Sequence, residues 1–201
     1  MVMAQISVEK NVADIEGLCV ITPTVHYDGR GFFSETYNER EMFENGLTAR
    51  FVQDNQSMST RGVLRGLHYQ KNFPQCKLVR VIRGEVFDVA VDFRSDSKTF
   101  GKWYGVTLSE DNKKQFYIPE GFAHGFLVLS DIAEFCYKVS DFWHPNDEGG
   151  VLWNDPDIHI QWPGVNLSDV RDSMYTFANG SMLNINEKDK KLPMFKEAFK
   201  F

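Results

Sequence analysis

The chain has 201 residues, of which 42% are hydrophobic, and a formal net charge of −6. This length fits one domain with a single core, and the acidic balance argues against non-specific binding to nucleic acid. Three widely spaced cysteines, Cys19, Cys76 and Cys136, fit neither a disulfide framework nor a zinc cluster, so we expect a reducing cytoplasm. We find no secretory signal and no apolar run that would span a bilayer, and we expect no membrane partner.

Short segments with a period of two dominate the chain. After a short predicted helix at 39–45, strands are predicted at 51–58 and 62–70. The alternation in KLVRVIRG and EVFDVAVDF predicts two strands, and Arg83-Gly84 between them predicts that 77–93 is a hairpin. Further strands are predicted at 102–108, 115–118, 123–129 and 133–140. Many short strands at this spacing indicate an all-β sandwich or barrel.

The sequence changes character after Trp162-Pro163, where it becomes irregular and polar. A second short helix is predicted at 192–200, with Met194, Phe195 and Phe199 as its apolar stripe. We expect residues 1–201 to form one domain, with a core at about 15–163 and an irregular C-terminal extension, 164–201, that lies over the barrel.

RGVLRGLHYQ, residues 61–70, places His68 three positions after Arg65. An imidazole beside a guanidinium suits a site that binds an anion and moves a proton near neutral pH. Residues three apart in an ideal strand point to opposite faces, so the two share a site only if the chain bulges near Gly66. A histidine in a strand is otherwise often structural.

Three other residues are candidates for the same chemistry. Lys77 begins a strand and either stabilises negative charge on a substrate oxygen or is a solvated edge lysine. His124 follows the turn in IPEG and is either structural or catalytic. Tyr137 shares a face with Phe135 and Val139, so it is either a half-buried core residue or a proton donor in a dry pocket.

Two polar clusters lie nearer the N-terminus. DGRGFFSETYN contains Arg30 and Glu35 around a glycine-rich turn, and FVQDNQS contains Gln53 and Asn55 on one strand face. These side chains either bind phosphate and base edges or face water.

A metal site has no support in the spacing of the histidines. A small β-barrel that binds a metal usually has two histidines separated by one residue. The five here are His26, His68, His124, His144 and His159. GxGxxG, Walker A and GxSxG motifs are also absent from the sequence. We therefore expect neither a metal nor another cofactor.

Eight segments together resemble the dTDP-4-dehydrorhamnose 3,5-epimerase family, in the same order and spacing. They are GRGFFSETYN, FVQDNQS, VLRGLHYQ, KLVRVIRGEVFDVAVDFR, SKTFGKW, IPEGFAHGF, AEFCYKVSDFW and LWNDPDIHIQWP, and they cover about residues 15–163. The resemblance implies a cupin-type jelly roll, a homodimer and no metal. It also implies epimerisation at C3 and C5 of a nucleotide-linked 4-keto-6-deoxyhexose, dTDP-4-dehydro-6-deoxy-D-glucose, on the pathway to L-rhamnose.

The resemblance also assigns residues by position. His68 matches the family's base and Tyr137 the acid that returns a proton from the opposite face. The remaining matches line the sugar and phosphate pocket or contact the nucleotide: Arg65, Lys77, His124, Arg30, Glu35, Gln53, Asn55 and Glu148. The family pairs its histidine with an aspartate near the C-terminus, for which Asp189, beside Lys188, is the first candidate and Asp169 the second.

This assignment agrees with the chemistry of epimerisation. A C–H next to a ketone loses its proton to form an enolate, so the reaction needs a base, a cation or donor at the C4 oxygen, and an acid across the ring. His68, Lys77 and Tyr137 fill these roles. An aspartate on the far imidazole nitrogen would fix the tautomer of the base.

Two alternatives stay open at this point. Relatives of such a fold epimerise only C3 or only C5, or act on CDP- or GDP-linked sugars. A non-catalytic cupin that binds sugar nucleotides is the second alternative, and it predicts that the base or the acid is missing.

Overall fold

The computed structural model describes residues 5–171, 174–177 and 179–201. The strands formed by these residues are β1 (Ile6–Lys10), β2 (Cys19–Pro23), β3 (His26–Asp28), β4 (Gly31–Phe33), β5 (Gln53–Thr60), β6 (Leu64–Gln70), β7 (Lys77–Arg83), β8 (Glu85–Asp92), β9 (Trp103–Ser109), β10 (Gln115–Ile118), β11 (Phe122–Val128), β12 (Ile132–Val139), β13 (Glu148–Gly150), β14 (Val165–Arg171) and β15 (Met174–Phe177). One α-helix, α1 (Glu39–Glu44), and two 3-10 helices, Val12–Asp14 and Asp189–Lys191, complete the described elements. None of the described helices is both long and apolar enough to cross a membrane.

Two antiparallel sheets form the body of the protein. The larger has the order β1-β2-β10-β7-β12-β5, and the smaller has the order β13-β6-β11-β8-β9. From β5 to β13 the chain alternates between the two sheets, except that β8 and β9 are neighbours in the smaller one. The two sheets pack face to face. The prediction of an all-β, cupin-type jelly roll with few short helices is confirmed, and the predicted strands all occur within a few residues of their expected bounds.

The predicted hairpin over 77–93 is wrong, although both of its strands exist. β7 pairs with β10 and β12, whereas β8 pairs with β9 and β11 in the other sheet. One residue, Gly84, separates the strands and takes a left-handed φ of +76°. Its N–H donates to Glu110 and the next N–H donates to Ser130, so the turn is bonded to neighbouring loops. A single linking residue is too short for a two-residue hairpin turn, and here it carries the chain from one sheet to the other.

The helix predicted at 39–45 is confirmed by α1. Asn38 caps its first turn, because the side-chain oxygen accepts from the N–H groups of Arg40 and Glu41. Met42 is buried against the outer face of the larger sheet, and Leu47 follows it into the same cluster. This face of the sheet is therefore covered by the segment that precedes β5.

The helix predicted at 192–200 is wrong. The chain makes only one turn there, with the N–H groups of Glu197 and Ala198 donating to the Met194 carbonyl. Packing overrides the helical pattern, because Phe195 sits edge-on to Phe93 and the following residues extend along the barrel.

Apolar clusters occupy three layers of the molecule. The first lies between the sheets and the second lies on the outer face of the smaller sheet. In β8, Val86 joins the first cluster and Val89 the second, so both faces of this strand are buried. Leu183 and Ile185 of the C-terminal extension also belong to the second cluster. The extension, which includes the β14–β15 hairpin, thus shares a core with the barrel.

The Gly84 crossover provides a test of the two-sheet topology. A Cβ at Gly84 would collide with the Ile132 carbonyl oxygen. We expect Gly84→Ala to lower the free energy of unfolding by about 3 kcal/mol, measured by urea denaturation. Gly180 has a similar φ of +82° with nothing within 4 Å, so it is a matched control. Gly180→Ala should cost only about 1 kcal/mol, and equal losses in the two variants would contradict the steric argument.

Candidate active site

A pocket lies between the inner faces of the two sheets. Its walls come from six strands, β5, β6, β7, β11, β12 and β13, and from segments of the chain before β7, after β12 and within the C-terminal extension. Packed sheets lie about 10 Å apart, so their inner side chains approach a ligand from opposite sides. The predicted residues that line the pocket are Arg65, His68, Lys77, His124, Tyr137, Glu148 and Asp189.

A bulge in β6 brings Arg65 and His68 to the same pocket. His68 pairs with His124 and Arg65 pairs with Phe126, so two residues of β6 lie opposite the single residue Gly125. The bulge near Gly66 that a shared site requires is thus present. A Cβ on Gly66 would lie 2.6 Å from the Gly125 Cα, so only glycine allows the strands to approach this closely.

His68 forms a hydrogen bond with a buried carboxylate. Its Nε2 lies 2.7 Å from Oδ1 of Asp189, whose other oxygen accepts from the Gly66 N–H at 3.0 Å. Burial by itself would raise the pKa of Asp189, but the hydrogen bonds from His68 and Gly66 lower it below its usual value. The carboxylate only accepts, so Nε2 is the donor, and the neutral tautomer of His68 that fits this bond has its lone pair on Nδ1.

Asp189 reaches His68 from the C-terminal extension. It begins the 3-10 helix Asp189–Lys191, and its N–H donates to the Asn186 side chain at 2.8 Å. The neighbouring Lys188 forms an ion pair with Glu148 on β13. Between the two predicted aspartates, the one bonded to His68 is Asp189, and the side chain of Asp169 lies outside the described residues.

A second histidine–aspartate pair lies beside the first. His124 Nε2 is 2.9 Å from Oδ1 of Asp88, and both side chains are buried. Burial lowers the pKa of His124, and Asp88 partly offsets this shift. Burial likewise raises the pKa of Asp88, and His124 partly offsets that shift. Desolvation also lowers the pKa of Lys77 to about 8, and the Asp88 charge again opposes the shift. The pocket thus contains an amine that changes charge near physiological pH.

Tyr137 stands on the wall opposite His68. It lies in β12 of the larger sheet, whereas His68 lies in β6 of the smaller one. Burial raises the pKa of Tyr137, and Arg65 partly opposes that shift. The phenol therefore keeps its proton at neutral pH and is a potential donor. Arg65 itself is held by Ser59, whose Oγ accepts from its guanidinium at 2.9 Å.

The pocket mouth continues into a second polar space. Gln53 and Asn55 line it together with Tyr137, and the Gln53 amide donates to Asn55 Oδ1 at 2.8 Å. Glu148 accepts from the Trp143 indole at 3.0 Å. Burial would raise the pKa of Glu148, but hydrogen bonds from Lys188 and Trp143 lower it.

Three predicted residues do not line these spaces. Lys188 reaches the mouth only through its ion pair with Glu148, and Arg30 and Glu35 lie elsewhere. Arg30 occupies the turn of the β3–β4 hairpin, where it is 91% exposed and paired with Asp28. Glu35 accepts from the Asn38 side chain near α1. Neither residue is among those that line the pocket of its own chain.

A family model described as dTDP-4-dehydrorhamnose 3,5-epimerase matches residues 12–197. The chain belongs to this family. It is 59% identical over 149 residues to the dTDP-4-dehydrorhamnose 3,5-epimerase of Methanothermobacter thermautotrophicus, covering 74% of this chain and 80% of the relative. The enzyme of the same name from Shigella flexneri is 56% identical over 161 residues, or 78% and 88% of the two chains.

A solved structure agrees with this membership. The dTDP-6-deoxy-D-glucose-3,5-epimerase of Legionella pneumophila Philadelphia 1, crystallised in complex with dTDP-4-keto-L-rhamnose, superposes with a TM-score of 0.84. The two chains are 44% identical, and the match covers 96% of this chain and 94% of the other. The family is one of isomerases, so the protein is an enzyme of that class.

Several polar residues in or beside this epimerase's pocket were absent from the sequence prediction, among them Asp88, which bonds to His124, and Trp143 at the mouth. Asp88 lies in β8, on the strand face that also carries Val86 and Ala90, and this face is buried between the two sheets. An aspartate on such a face signals a buried partner, so this residue was detectable. Trp143 is 57% exposed at the mouth, and nothing in SDFWHP separates it from an ordinary loop aromatic. In residues 5–171, 174–177 and 179–201, we find no group of three or more histidine, cysteine or acidic side chains arranged to hold a metal ion.

The environment of His124 gives a pH prediction. Because burial disfavours the imidazolium, we expect His124 to take up its proton at a pH below the value of about 6.5 typical of free histidine. Asp88→Asn should move the midpoint lower still, because the carboxylate that opposes desolvation is gone. Two-dimensional NMR of the imidazole resonances measures both midpoints. Asp96→Asn, at an exposed acid, is the control that should leave the midpoint unchanged, and a rise in Asp88→Asn would contradict the account.

Proposed function

We propose that this protein epimerises C3 and C5 of dTDP-4-dehydro-6-deoxy-D-glucose to give dTDP-4-dehydro-L-rhamnose. The observation that carries the proposal is the His68–Asp189 hydrogen bond on one wall of the pocket, with Tyr137 on the opposite wall. Family membership supplies the substrate class, and the Legionella relative is described with a dTDP-linked keto sugar of this kind.

In the proposed reaction, His68 removes the proton from a carbon next to the C4 ketone. The C–H electron pair forms the enolate, and the C4 oxygen takes the negative charge. Lys77, in its ammonium form, stabilises that charge. Asp189 holds the imidazole and stabilises the imidazolium that His68 becomes.

Inversion is completed from the other face of the sugar. Tyr137 gives its phenolic proton to the carbon as the enolate returns to the ketone, and the tyrosinate then regains a proton from solvent, while His68 loses its own. Two features support these roles. The two residues stand on opposite sheets, and the raised pKa keeps the phenol protonated until it is needed.

The other polar residues bind the rest of the substrate in this proposal. Arg65 and His124 contact the sugar and the diphosphate, with His124 oriented by Asp88. The nucleotide lies at the mouth against side chains that are polar and close together: Gln53, Asn55, Glu148 and Lys188. No metal or cofactor has a step in this reaction.

The biological unit in this proposal is a homodimer in the cytoplasm, made of single-domain subunits. Arg30 is exposed and Glu35 is half-buried, and both lie away from their own pocket in the segment that carries the exposed Tyr27 and Phe33. We infer that they contact the nucleotide bound by a second copy. Free cysteines in the structure support a reducing compartment, and the core shared with residues 164–201 supports one domain spanning 1–201.

Deuterium incorporation tests the number of centres that react. The protein is incubated with dTDP-4-dehydro-6-deoxy-D-glucose in deuterium oxide, and the sugar is followed by mass spectrometry. We expect two deuterons, one each at C3 and C5. One deuteron would indicate a mono-epimerase, and none would reject the proposed function.

Two variants separate the base from the acid. His68→Ala should lose solvent exchange, because no group remains to remove the proton. Tyr137→Phe should still exchange deuterium but should not complete inversion, which NMR of the product sugar detects. Full activity in His68→Ala would refute the role of that residue.

The positioning role of Asp189 has its own test. Asp189→Asn should lower kcat by about 100-fold or more, because an amide stabilises the imidazolium poorly and also accommodates the wrong tautomer. Glu187→Gln is the matched control, since Glu187 lies two residues away in the same turn and is paired with Lys190 at the surface. Similar kcat values in the two variants would remove Asp189 from the mechanism.

A further inference from the structure

The segment Asp141–His144 forms part of the pocket mouth without belonging to a strand. It runs between β12 and β13 and carries Trp143, whose indole donates to Glu148 at 3.0 Å. Backbone N–H and C=O groups outside the sheets still need partners. In this segment the partners are the side-chain amides of three glutamines, Gln53, Gln70 and Gln75, so the position of Trp143 depends on these amides.

Gln70 makes three hydrogen bonds, two of them to this segment and one to the loop between β6 and β7. Its Nε2 donates to the carbonyl oxygens of Phe73 at 2.8 Å and Phe142 at 3.2 Å. Its Oε1 accepts from the His144 N–H at 2.6 Å. The residue is 4% exposed, so water cannot readily replace these bonds.

The bonding pattern requires a carboxamide. Two carbonyl oxygens need donors and one N–H needs an acceptor, and only a carboxamide group offers both donors and an acceptor at one end. A glutamate would present acceptors to two carbonyls, and a methionine would fill the space without donating. All three hydrogen bonds of this carboxamide go to backbone groups, so its chemistry serves the loops at the mouth, including the segment that carries Trp143.

Gln70 also connects this segment to the strand of the candidate base. It lies two residues after His68 in β6, on the same face, and it pairs in register with Glu148 of β13. Gln53 of β5 also bonds to the segment, because its Oε1 accepts from the Trp143 N–H at 3.1 Å. One strand thus carries the candidate base and fixes the mouth of the pocket.

We propose that Gln70 is a positioning residue for substrate binding, which acts by fixing the segment Asp141–His144 and hence Trp143 at the pocket mouth. This inference rests on the proposed function for its kinetic consequence. The groups assigned to proton transfer are not bonded to Gln70, so its loss should weaken nucleotide binding and leave the chemical step nearly intact.

Gln70→Met is the principal variant. We expect KM for the dTDP-sugar and the calorimetric Kd for dTDP to rise by about tenfold, with kcat within about twofold of the wild type. Hydrogen exchange of the backbone amides at 141–144 should quicken in the absence of any ligand, because the His144 N–H has lost its acceptor. Gln56→Met is the matched control, since the Gln56 amide is exposed and bonded to Glu134 outside the pocket.

A double-mutant cycle distinguishes positioning from general loss of structure. In a Trp143→Ala background, Gln70→Met should change Kd for dTDP by less than about twofold, because the side chain through which it acts has already been removed. If Gln70→Met does not fold, Gln75→Met takes its place. Gln75 donates to the carbonyls of Asp141 and Phe142, and its loss should change exchange and KM in the same direction.

The outcomes separate this inference from the proposed function. A kcat loss with unchanged KM, unchanged exchange at 141–144, or an undiminished effect in the Trp143→Ala background would overturn the role of Gln70. A wild-type protein that binds dTDP but does not turn over the sugar would instead overturn the proposed function, and the exchange and binding results would still decide the role of Gln70.

Discussion

One buried carboxylate, that of Asp189, joins the C-terminal extension to the strand of the candidate base. It accepts from the Gly66 N–H at the bulge of β6 and from the His68 imidazole two residues later. A buried charge is tolerated only where such partners surround it. The bulge, the orientation of the imidazole and the position of the extension are therefore mutually dependent.

The two-sheet architecture places the His68–Asp189 pair opposite the phenol of Tyr137. β6 and β11 present His68 and His124 side by side, while β12 presents Tyr137 from the facing sheet. A sugar ring placed between the sheets would have an imidazole on one face and a phenol on the other, which is the arrangement that inversion at a carbon requires. β8 pairs with β11 and supplies Asp88 on its inner face. The carboxylate that bonds to His124 and acts on the charge of Lys77 is therefore placed by strand pairing.

Local patterns predicted much of this molecule and failed where pairing is non-local. Period-two alternation predicted the strands around His68 and Tyr137, because it reflects one face of each strand. It could not predict that β7 and β8 belong to different sheets. A glycine between two strands, such as Gly84, does not reveal whether those strands pair with each other or with distant strands. The aromatic stripe near Phe195 had a helical spacing, yet packing against Phe93 decided its conformation.

The sequence by itself determined the all-β class, which follows from the period of its strands. It also determined the family and the candidate proton-transfer residues, through the resemblance of eight ordered segments. Only the tertiary structure decided that Asp189 bonds to His68, that the Gly66 bulge unites Arg65 with His68, and that Arg30 lies outside its own pocket. Each of these depends on contacts between residues that are distant in the chain or on a shift in strand register. Such contacts are set by packing, which a linear pattern does not record.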